Sequence, residues 1–318
     1  MGSEVQLSQQ YGGSHGGGWV SRLPSLWIPY VQLARLSPPA AILLIYIPHV
    51  LGLLHAASIQ RSSLAEILRS SGWLFVGTVF FSNAAHAWND LIDSPFDKLV
   101  ARTKTRPIPR GAISEKNAFI FATVQAIGAA LVLLAFPSMT GKWAIPNIFA
   151  STYYPWAKRH THGAQLVLGF CLGWGVIVGA TTVNVDPSTD TSTIFLFVAC
   201  LLWTGIYDTI YAHQDYKDDM KLGLKSLATL LGKKHTKAVL YLFLVIMLGS
   251  LAQCGILHEA MWPYHCLAVG GSLVSLGTMI TYVQLENPKS CWKWFSTGFW
   301  GTGGSIAAGL IAQYATRH

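Results

Sequence analysis

The chain has 318 residues, of which 52% are hydrophobic and only 11% are charged, whereas a soluble domain usually carries about 25% charged residues. These values exclude an ordinary water-soluble globule. The net charge is +8, and the Lys and Arg residues lie in short loops between apolar segments. This distribution favours anionic lipid and anionic substrate groups over nucleic acid as partners. We therefore predict one all-α integral membrane domain.

The first 38 residues differ in composition from the rest. A Gly-rich patch is followed by mixed aromatic, aliphatic and basic residues between Trp19 and Leu36, a mixture typical of a helix at the membrane interface. We predict an N-terminal tail with an interfacial helix over residues 1–38 and a transmembrane domain over 39–318. The five cysteines are scattered without metal-ligand spacing, which favours buried, reduced thiols.

Apolar segments recur along the chain that are long enough to cross the hydrocarbon layer, which takes about 20 residues in a helix. They are centred near residues 47, 80, 126, 149, 173, 203, 245, 272 and 305, and they predict a bundle of about nine transmembrane helices. The loops after the second, fourth, sixth and eighth segments carry sixteen Lys and Arg residues, against three in the other loops. By the positive-inside rule these even-numbered loops face the cytosol, although an anionic substrate would favour the same bias.

An acidic cluster ends the second segment. The chain reads Asn89-Asp90-Leu-Ile-Asp93-Ser-Pro95-Phe-Asp97. On a helix, both the Asp90, Asp93, Asp97 set and the set that begins at Asn89 project to one side. Pro95 is expected to end or kink the helix and to leave Asp97 on the adjoining turn.

A second acidic cluster follows the sixth segment, where Asp208, Asp215 and Asp219 stand at i, i+7 and i+11. This spacing predicts one helical face. Carboxylates inside a membrane are costly and by default mark function, although a single acid near a helix end is as readily a solvated cap. Two clusters at equivalent ends of even-numbered segments favour a functional role.

The residue types around both clusters indicate a metal and a phosphate. Carboxylates that face one another repel unless they are protonated or bridged by cations, and all-oxygen ligands favour Mg²⁺, which commonly binds substrate phosphates. Basic residues follow the first cluster between positions 98 and 110 and the second between 217 and 225. Carboxylates that hold a metal beside guanidinium and ammonium groups suit a diphosphate.

Four motifs occur in a fixed order. They are Asn89-Asp90-x-x-Asp93-x-x-x-Asp97, Arg102-Thr-x-x-Arg106-Pro-Ile-x-x-Gly111, Tyr154-Pro-x-x-Lys158-Arg159-x-Thr161, and Tyr207-Asp208-Thr-Ile-Tyr211-Ala-x-Gln214-Asp215-x-x-Asp218-Asp219 continuing to Gly223-x-Lys225-Ser226. With them the sequence resembles the UbiA family of intramembrane aromatic prenyltransferases, from about residue 35 to the C-terminus. A lone Asn-Asp-x-x-Asp would be a weak signal, whereas the ordered set is highly specific.

The resemblance implies nine helices around a central cavity on the cytosolic side, with Mg²⁺ as cofactor. The residues that it implies as metal ligands are Asn89, Asp90, Asp93, Asp97, Asp208, Asp215 and Asp219. The residues that it implies in catalysis are Asp90, Asp93, Asp215 and Asp219. The residues that it implies in diphosphate binding are Asn89, Arg102, Arg106, Lys158 and Lys225. The residues that it implies in acceptor contact or cation stabilisation are Arg159, Gly173, Tyr207 and Tyr211.

One departure from the family pattern concerns the acceptor. Members that prenylate 4-hydroxybenzoate resemble Gln-x-x-Leu-Gly followed by Asn-Trp-Gly, whereas here Gln165-Leu-Val-Leu-Gly169 leads to Gly173-Trp174-Gly175. Without the amide, the chain looks more like fungal meroterpenoid prenyltransferases, which implies a larger phenolic polyketide as acceptor and farnesyl diphosphate as donor. Gly173 either leaves room for that acceptor or lets two helices pack closely.

Two alternatives remain from the sequence. A 4-hydroxybenzoate polyprenyltransferase of quinone biosynthesis would keep the fold and change the acceptor. A secondary transporter would also place acids in the membrane, but its acids would lie near the bilayer midplane rather than at helix ends. We predict an enzyme that transfers prenyl groups, in the endoplasmic reticulum or another endomembrane, with its active site facing the cytosol.

Overall fold

The computed structural model describes residues 16–37, 39–100 and 103–317. Over these ranges the chain forms helices, turns and loops without a strand, which confirms the all-α prediction. The helices are α1 Ile28–Leu33, α2 Ala40–Gln60, α3 Leu64–Asp97, α4 Glu115–Val132, α5 Ser138–His160, α6 Ala164–Gly173, α7 Gly175–Thr181, α8 Thr191–Ala212, α9 Tyr216–Leu222, α10 Leu227–Leu257, α11 Trp262–Tyr264, α12 Gly271–Tyr282 and α13 Pro288–Arg317.

Seven helical segments of the described chain are long and apolar enough to cross a membrane. They are Ala40–Gln60, Leu64–Asp97, Glu115–Ala135, Ala164–Thr181, Thr191–Ala212, Leu227–Leu257 and Trp262–Tyr282. The fourth and ninth predicted segments coincide with α5 and α13, which have 23 and 30 residues but are less apolar than the other seven. The protein is therefore an integral membrane protein of helical segments, and the count of nine spans is approximate.

The predicted interfacial helix between Trp19 and Leu36 is shorter than the sequence suggested. A 3₁₀ turn covers Val20–Arg22, the chain is extended at Leu23, and α1 begins only at Ile28. Pro24 follows the extended residue, and a residue before proline is disfavoured in helical conformation. The aromatic side chains Trp19 and Trp27 are exposed, as expected for residues that contact an interface.

The described chain forms two compact units. The first unit contains the described residues up to Tyr46 together with Phe75–Ala135, and the second contains Ile47–Leu74 and the chain from Phe136 onward. Helices α2 and α3 contribute residues to both units. The first acidic cluster therefore belongs to the first unit, and the second acidic cluster belongs to the second.

The core of the first unit packs its N-terminal segment against the chain that follows the first acidic cluster. Tyr30 of α1 lies 5.4 Å from Phe121 of α4 between ring centroids. The buried residues of this core are Leu33, Ala87, Ile108, Ile113, Ala118 and Ala122. Because α1, the end of α3, the following loop and the start of α4 all contribute, this core sets the position of both segments that flank the first acidic cluster.

In the second unit, a polar network lies at the end of α8 opposite the second acidic cluster. His55 Nε2 hydrogen-bonds Ser192 Oγ at 2.8 Å, and Ser192 Oγ donates to Asp190 Oδ1 at 2.7 Å. Arg317 donates to the backbone oxygen of His258. Burial, together with His55 and Arg317, lowers the pKa of His258 to about 3. His258 is therefore neutral near pH 7, and the network joins the ends of α2, α8, α10 and α13.

All five cysteines lie within the described residues and are free. Four of them, Cys171, Cys200, Cys254 and Cys291, are buried, as predicted. Cys266 differs from the prediction because it is exposed, on the π-helical turn that precedes α12.

Candidate active site

The first acidic cluster lies on one unbroken helix. α3 continues past Pro95 and ends at Asp97. Of the expected end or kink at Pro95, the end is therefore wrong, and Asp97 lies on the helix rather than on the adjoining turn. Pro95 lies only two residues before the end of α3, and its missing N–H affects only the last turn. Asn89, Asp93 and Asp97, at i, i+4 and i+8, therefore lie on one side of α3.

The carboxylates of this cluster are held by arginine side chains. Arg106 Nη1 donates to Asp90 Oδ1 at 3.0 Å and to Asp97 Oδ2 at 2.7 Å, and Arg35 Nη2 donates to Asp90 Oδ1 at 2.8 Å. Asn89 Nδ2 donates to Asp93 Oδ2 at 3.1 Å. Asp90, Asp97 and Arg106 are buried, so these are charge-assisted contacts shielded from water.

The loop after α3 is folded tightly enough to fix Arg106. Thr103 Oγ1 donates to Asp97 O at 3.2 Å, and the Arg106 N–H donates to Thr103 O at 2.9 Å. Further along, Arg110 donates to Gln32 Oε1 at 2.6 Å, which ties the loop to α1. Arg102, predicted with Arg106 as a diphosphate contact, lies outside the described residues.

Arg35 is a residue of the first cluster that the sequence analysis missed. It lies two residues beyond the end of α1 and reaches Asp90 across 55 positions of sequence. A single arginine ahead of an apolar span is typical of a membrane anchor, so no local pattern separates it from Arg22 in the same segment. Only the fold places Arg35 beside Asp90.

The second acidic cluster is divided between two helices, contrary to the predicted single face. α8 ends at Ala212, and α9 begins at Tyr216 with Asp215 as its N-cap. The N–H groups of residues 213, 214 and 215 bond three residues back rather than four, which tightens the chain into a turn. Asp208 therefore lies on α8, whereas Asp219 lies in the first turn of α9.

The basic C-terminal turn of α5 meets α9 at this cluster. Lys158 Nζ lies 3.9 Å from Asp219 Oδ2, and the Lys225 N–H donates to Lys158 O at 2.7 Å. Lys225 Nζ also approaches His160 O at 3.5 Å. The structure thus brings the predicted residues Lys158, Lys225 and Asp219 together, with Arg159 next to Lys158 in the same turn.

The two tyrosines predicted near the cation differ in exposure. Tyr207 is 2% exposed, and its ring packs edge-on against Phe295 and Phe299 of α13 with centroids 5.5 and 5.6 Å away. Thr204 Oγ1 donates to its hydroxyl at 3.2 Å. Tyr211 is partly exposed and lies 4.9 Å from Phe295. The side chain of Tyr207 is therefore enclosed by neighbouring aromatic residues. Tyr211 is more exposed and is the better placed of the two to contact a substrate.

Gly173 lies against the backbone of α8. A Cβ atom at Gly173 would lie 2.9 Å from Leu201 N, and one at Gly169 would lie 2.5 Å from Leu201 O. The two glycines are one helical turn apart, and together they let α6 approach α8 closely, as small residues do in membranes. Of the two interpretations of Gly173, the geometry supports helix packing rather than space for an acceptor.

Apolar helices that carry acidic clusters beside arginine and lysine define a class of integral membrane protein suited to anionic, phosphorylated substrates. The UbiA prenyltransferase family matches residues 45–303. The chain therefore belongs to the UbiA prenyltransferase family, and it is an enzyme of the prenyl-transferring class.

Individual relatives agree with this assignment. The UbiA prenyltransferase claS of Ampulloclitocybe clavipes is 38% identical over 90% of this chain and 91% of its own length. The mitochondrial 4-hydroxybenzoate polyprenyltransferase of Saccharomyces cerevisiae is 34% identical over 94% of this chain and 78% of its own length. The similarity to both extends over most of each chain, so it covers both acidic motifs.

Solved structures share the fold. The apo structure of a UbiA homolog from Aeropyrum pernix K1 superposes with a TM-score of 0.70 at 21% identity, over 86% of this chain and 97% of that one. The structure of a UbiA homolog from Archaeoglobus fulgidus bound to GPP and Mg²⁺ gives a TM-score of 0.66 at 16% identity, over 90% and 99%. These likenesses confirm the helical membrane fold.

Proposed function

We propose that the protein transfers a prenyl group, farnesyl, from an isoprenoid diphosphate to a ring carbon of a phenolic acceptor, with Mg²⁺ as cofactor. The observation that carries the proposal is that each unit places a buried carboxylate beside a basic side chain. Asp97 pairs with Arg106 in the first unit, and Asp219 pairs with Lys158 in the second. The Archaeoglobus fulgidus homolog of the same fold, bound to GPP and Mg²⁺, supports this choice of donor class and metal.

The magnesium proposal depends on ligand chemistry. Within residues 16–37, 39–100 and 103–317, no three His, Cys, Asp or Glu side chains are already arranged around a metal position. The motif donors are amide and carboxylate oxygens, which Mg²⁺ prefers, and no thiol or imidazole is among them. The donor set therefore fits this ion. The residues that would hold magnesium are Asn89, Asp93 and Asp97 in the first unit, and Asp208, Asp215 and Asp219 in the second. When bound, Mg²⁺ supplies positive charge against the diphosphate.

The chain's own cations bind the phosphate oxygens. The planar guanidinium of Arg106 is suited to two-point contact with phosphate, whereas Lys158 and Lys225 act as point charges. When the bond from C1 of the prenyl chain to oxygen breaks, both electrons leave with the diphosphate. These cations stabilise the negative charge that develops there, and fixed charges in a water-poor site are effective at this step.

The allylic cation is then consumed by the acceptor. A ring carbon ortho to the phenolic hydroxyl supplies an electron pair to C1, and loss of the proton from that carbon restores aromaticity. The aromatic ring of Tyr211 is suited to stabilise the cation through its π face. The apolar helices exclude water, which would otherwise capture the cation.

The acceptor that we propose is a larger phenol of the polyketide type. The indole N–H of Trp174 is already donated to Trp143 O at 2.6 Å. This N–H is therefore not offered to the carboxylate of 4-hydroxybenzoate. The second candidate acceptor is 4-hydroxybenzoate itself, because the yeast enzyme named for it is 34% identical to this chain.

We also propose an endomembrane location with both acidic clusters on the cytosolic side. The sixteen Lys and Arg residues of the even-numbered loops predicted from the sequence support this orientation. The first cluster lies at the C-terminal end of α3, and the second extends from the last turns of α8 to the first turn of α9. Each cluster is followed by one of these basic segments.

The deciding experiment incubates membranes that contain the protein with radiolabelled farnesyl diphosphate and a panel of acceptors. We expect labelled product with a large phenolic acceptor in the presence of Mg²⁺, and loss of product in the Asp93→Asn variant. Asp186→Asn, which changes a carboxylate outside both clusters, is the matched control and should retain activity. Product only with 4-hydroxybenzoate would select the second candidate, and no product with any aromatic acceptor would contradict the proposal.

A further inference from the structure

Asn89 and Asp90, which are neighbours in the first acidic cluster, have different hydrogen-bond partners. Asn89 and Asp93 are bonded to each other, whereas Asp90 is bonded to Arg35 and Arg106. Adjacent residues of an α-helix are rotated by about 100°, so Asp90 and Asn89 leave α3 in different directions. Arg106 also donates to Asp97, so Asp90 shares one arginine with Asp97 and is in addition bonded to Arg35.

Asp90 accepts hydrogen bonds from two arginine side chains. Both guanidinium groups donate to the same oxygen, Oδ1, at 2.8 and 3.0 Å, and the residue is 1% exposed. Moving this carboxylate towards a metal ion would break two charge-assisted hydrogen bonds in a low-dielectric interior, which is costly. The contacts of Asp90 therefore suit an anchor for arginine side chains better than a metal ligand.

The segment that carries Arg35 is held in an uncommon backbone conformation. Arg35 has φ of 52°, in the left-handed region that residues other than glycine rarely adopt. Such a conformation persists only where the surrounding contacts fix it. Those contacts include the packing of Leu33 in the core of the first unit and the Arg110–Gln32 hydrogen bond. Both the backbone conformation of Arg35 and its positive charge therefore favour its contact with Asp90.

We propose that Arg35 and Asp90 form a positioning pair outside the metal site. Asp90 anchors Arg35 and Arg106, and Arg106 is thereby kept beside Asp97. Arg35 is then a positioning residue that the N-terminal segment supplies to the donor site. The inference rests on the proposed function, because it assumes that Arg106 binds the diphosphate of the donor.

The test uses the full-length protein and a donor analogue that does not react, farnesyl thiodiphosphate. The dissociation constant of the analogue is measured across a Mg²⁺ titration for wild type, Arg35→Ala, Arg35→Lys and Asp90→Asn. Arg22→Ala is the matched control, because Arg22 is an exposed arginine of the same segment.

We expect Arg35→Ala to weaken analogue binding at least about tenfold, the loss typical of a hydrogen bond to a charged group. The Mg²⁺ concentration at half-saturation should not change, and in turnover KM for the donor should rise more than kcat falls. Arg35→Lys should restore part of the affinity, and Arg22→Ala should bind as wild type. The double variant of Arg35→Ala with Asp90→Asn should bind no worse than Asp90→Asn alone, because the pair acts as one unit.

Other outcomes would overturn the positioning pair. If Asp90 were a metal ligand masked by arginine, Arg35→Ala would lower the Mg²⁺ concentration at half-saturation and Asp90→Asn would raise it. A purely structural role would lower thermal stability and leave the analogue affinity of the folded protein unchanged. Equal binding by wild type and Arg35→Ala refutes only this pair, whereas failure of wild type to bind the analogue with Mg²⁺ refutes the proposed function itself.

Discussion

Substitution of Gly173 tests whether α6 and α8 are packed through their backbones. In Gly173→Ala, the new Cβ would lie 2.9 Å from Leu201 N and 3.2 Å from Leu201 Cα. Both neighbours are backbone atoms, so no side-chain rotation relieves the contact. Overpacking of this kind costs about 1–3 kcal/mol, and alanine recovers about 1 kcal/mol of helix propensity relative to glycine. We expect a net loss of up to about 2 kcal/mol in the free energy of unfolding.

A matched control is available in α10. A Cβ at Gly249 would meet nothing within 4 Å, so Gly249→Ala should keep only the propensity gain. Unfolding can be followed with a thiol-reactive dye, because Cys171, Cys200, Cys254 and Cys291 are buried in the folded protein. The difference in thermal midpoint between the two alanine variants measures the packing cost. If Gly173→Ala is as stable as Gly249→Ala, the close packing of α6 on α8 is refuted.

An activity assay of a second variant distinguishes a packing role of Gly173 from a role in an acceptor pocket. Gly173→Asn adds more volume against α8, and it should lower folded yield and reduce kcat/KM for all acceptors alike. The assay compares a large and a small phenolic acceptor at fixed donor, in wild type and variant of matched folded content. Selective loss of the large acceptor would refute the packing argument and would support a pocket at position 173.

Three further predictions concern the metal, the topology and pH. Chelation by EDTA should abolish transfer, and Asp93→Ala or Asp215→Ala should each reduce it at least about 10²-fold; full turnover in EDTA would contradict the metal proposal. Single cysteines placed in loops 98–116 and 214–237 should be labelled in sealed vesicles only from the cytosolic side, and labelling from the lumenal side would reverse the topology. The pKa of His258 is held near 3 in the folded protein, whereas it is about 6.5 in the unfolded chain. Between about pH 3 and about pH 6.5 the unfolded state therefore binds more protons than the folded state. The thermal midpoint should therefore fall as pH drops from about 6.5 towards 3, and His258→Gln should reduce that fall; an unchanged pH profile in this variant would count against a neutral, buried His258.

The helical segments could be predicted from sequence because a long apolar run is a local property. The predicted segment near residue 80 falls at the centre of α3, and the segment near 203 falls within α8. The polarity of the fourth segment, which contains Lys142 and Pro146, also predicted that α5 would be less apolar than its neighbours. Helix ends were less predictable. Pro95 marked an end that α3 does not have, whereas the turn after Ala212 has neither proline nor glycine to mark it.

The site could be predicted only as far as residue type and spacing allow. The carboxylates and Arg106 were found because the motifs are contiguous in sequence. Arg35 could not be found in this way, because its contact with Asp90 depends on the packing of α1 rather than on any nearby residue. Gly173 could be interpreted either as room for an acceptor or as a site of close helix packing, depending on which side of α6 it faces. The sequence does not fix that side, whereas the structure places Gly173 against the backbone of α8.

A hydrogen bond between backbone atoms joins α5 to the loop after α9. The Lys225 N–H donates to Lys158 O, so any residue except proline could form the same bond at position 225. A substitution at position 225 can therefore change the charge beside the second acidic cluster and leave the backbone hydrogen bond that holds the loop in place.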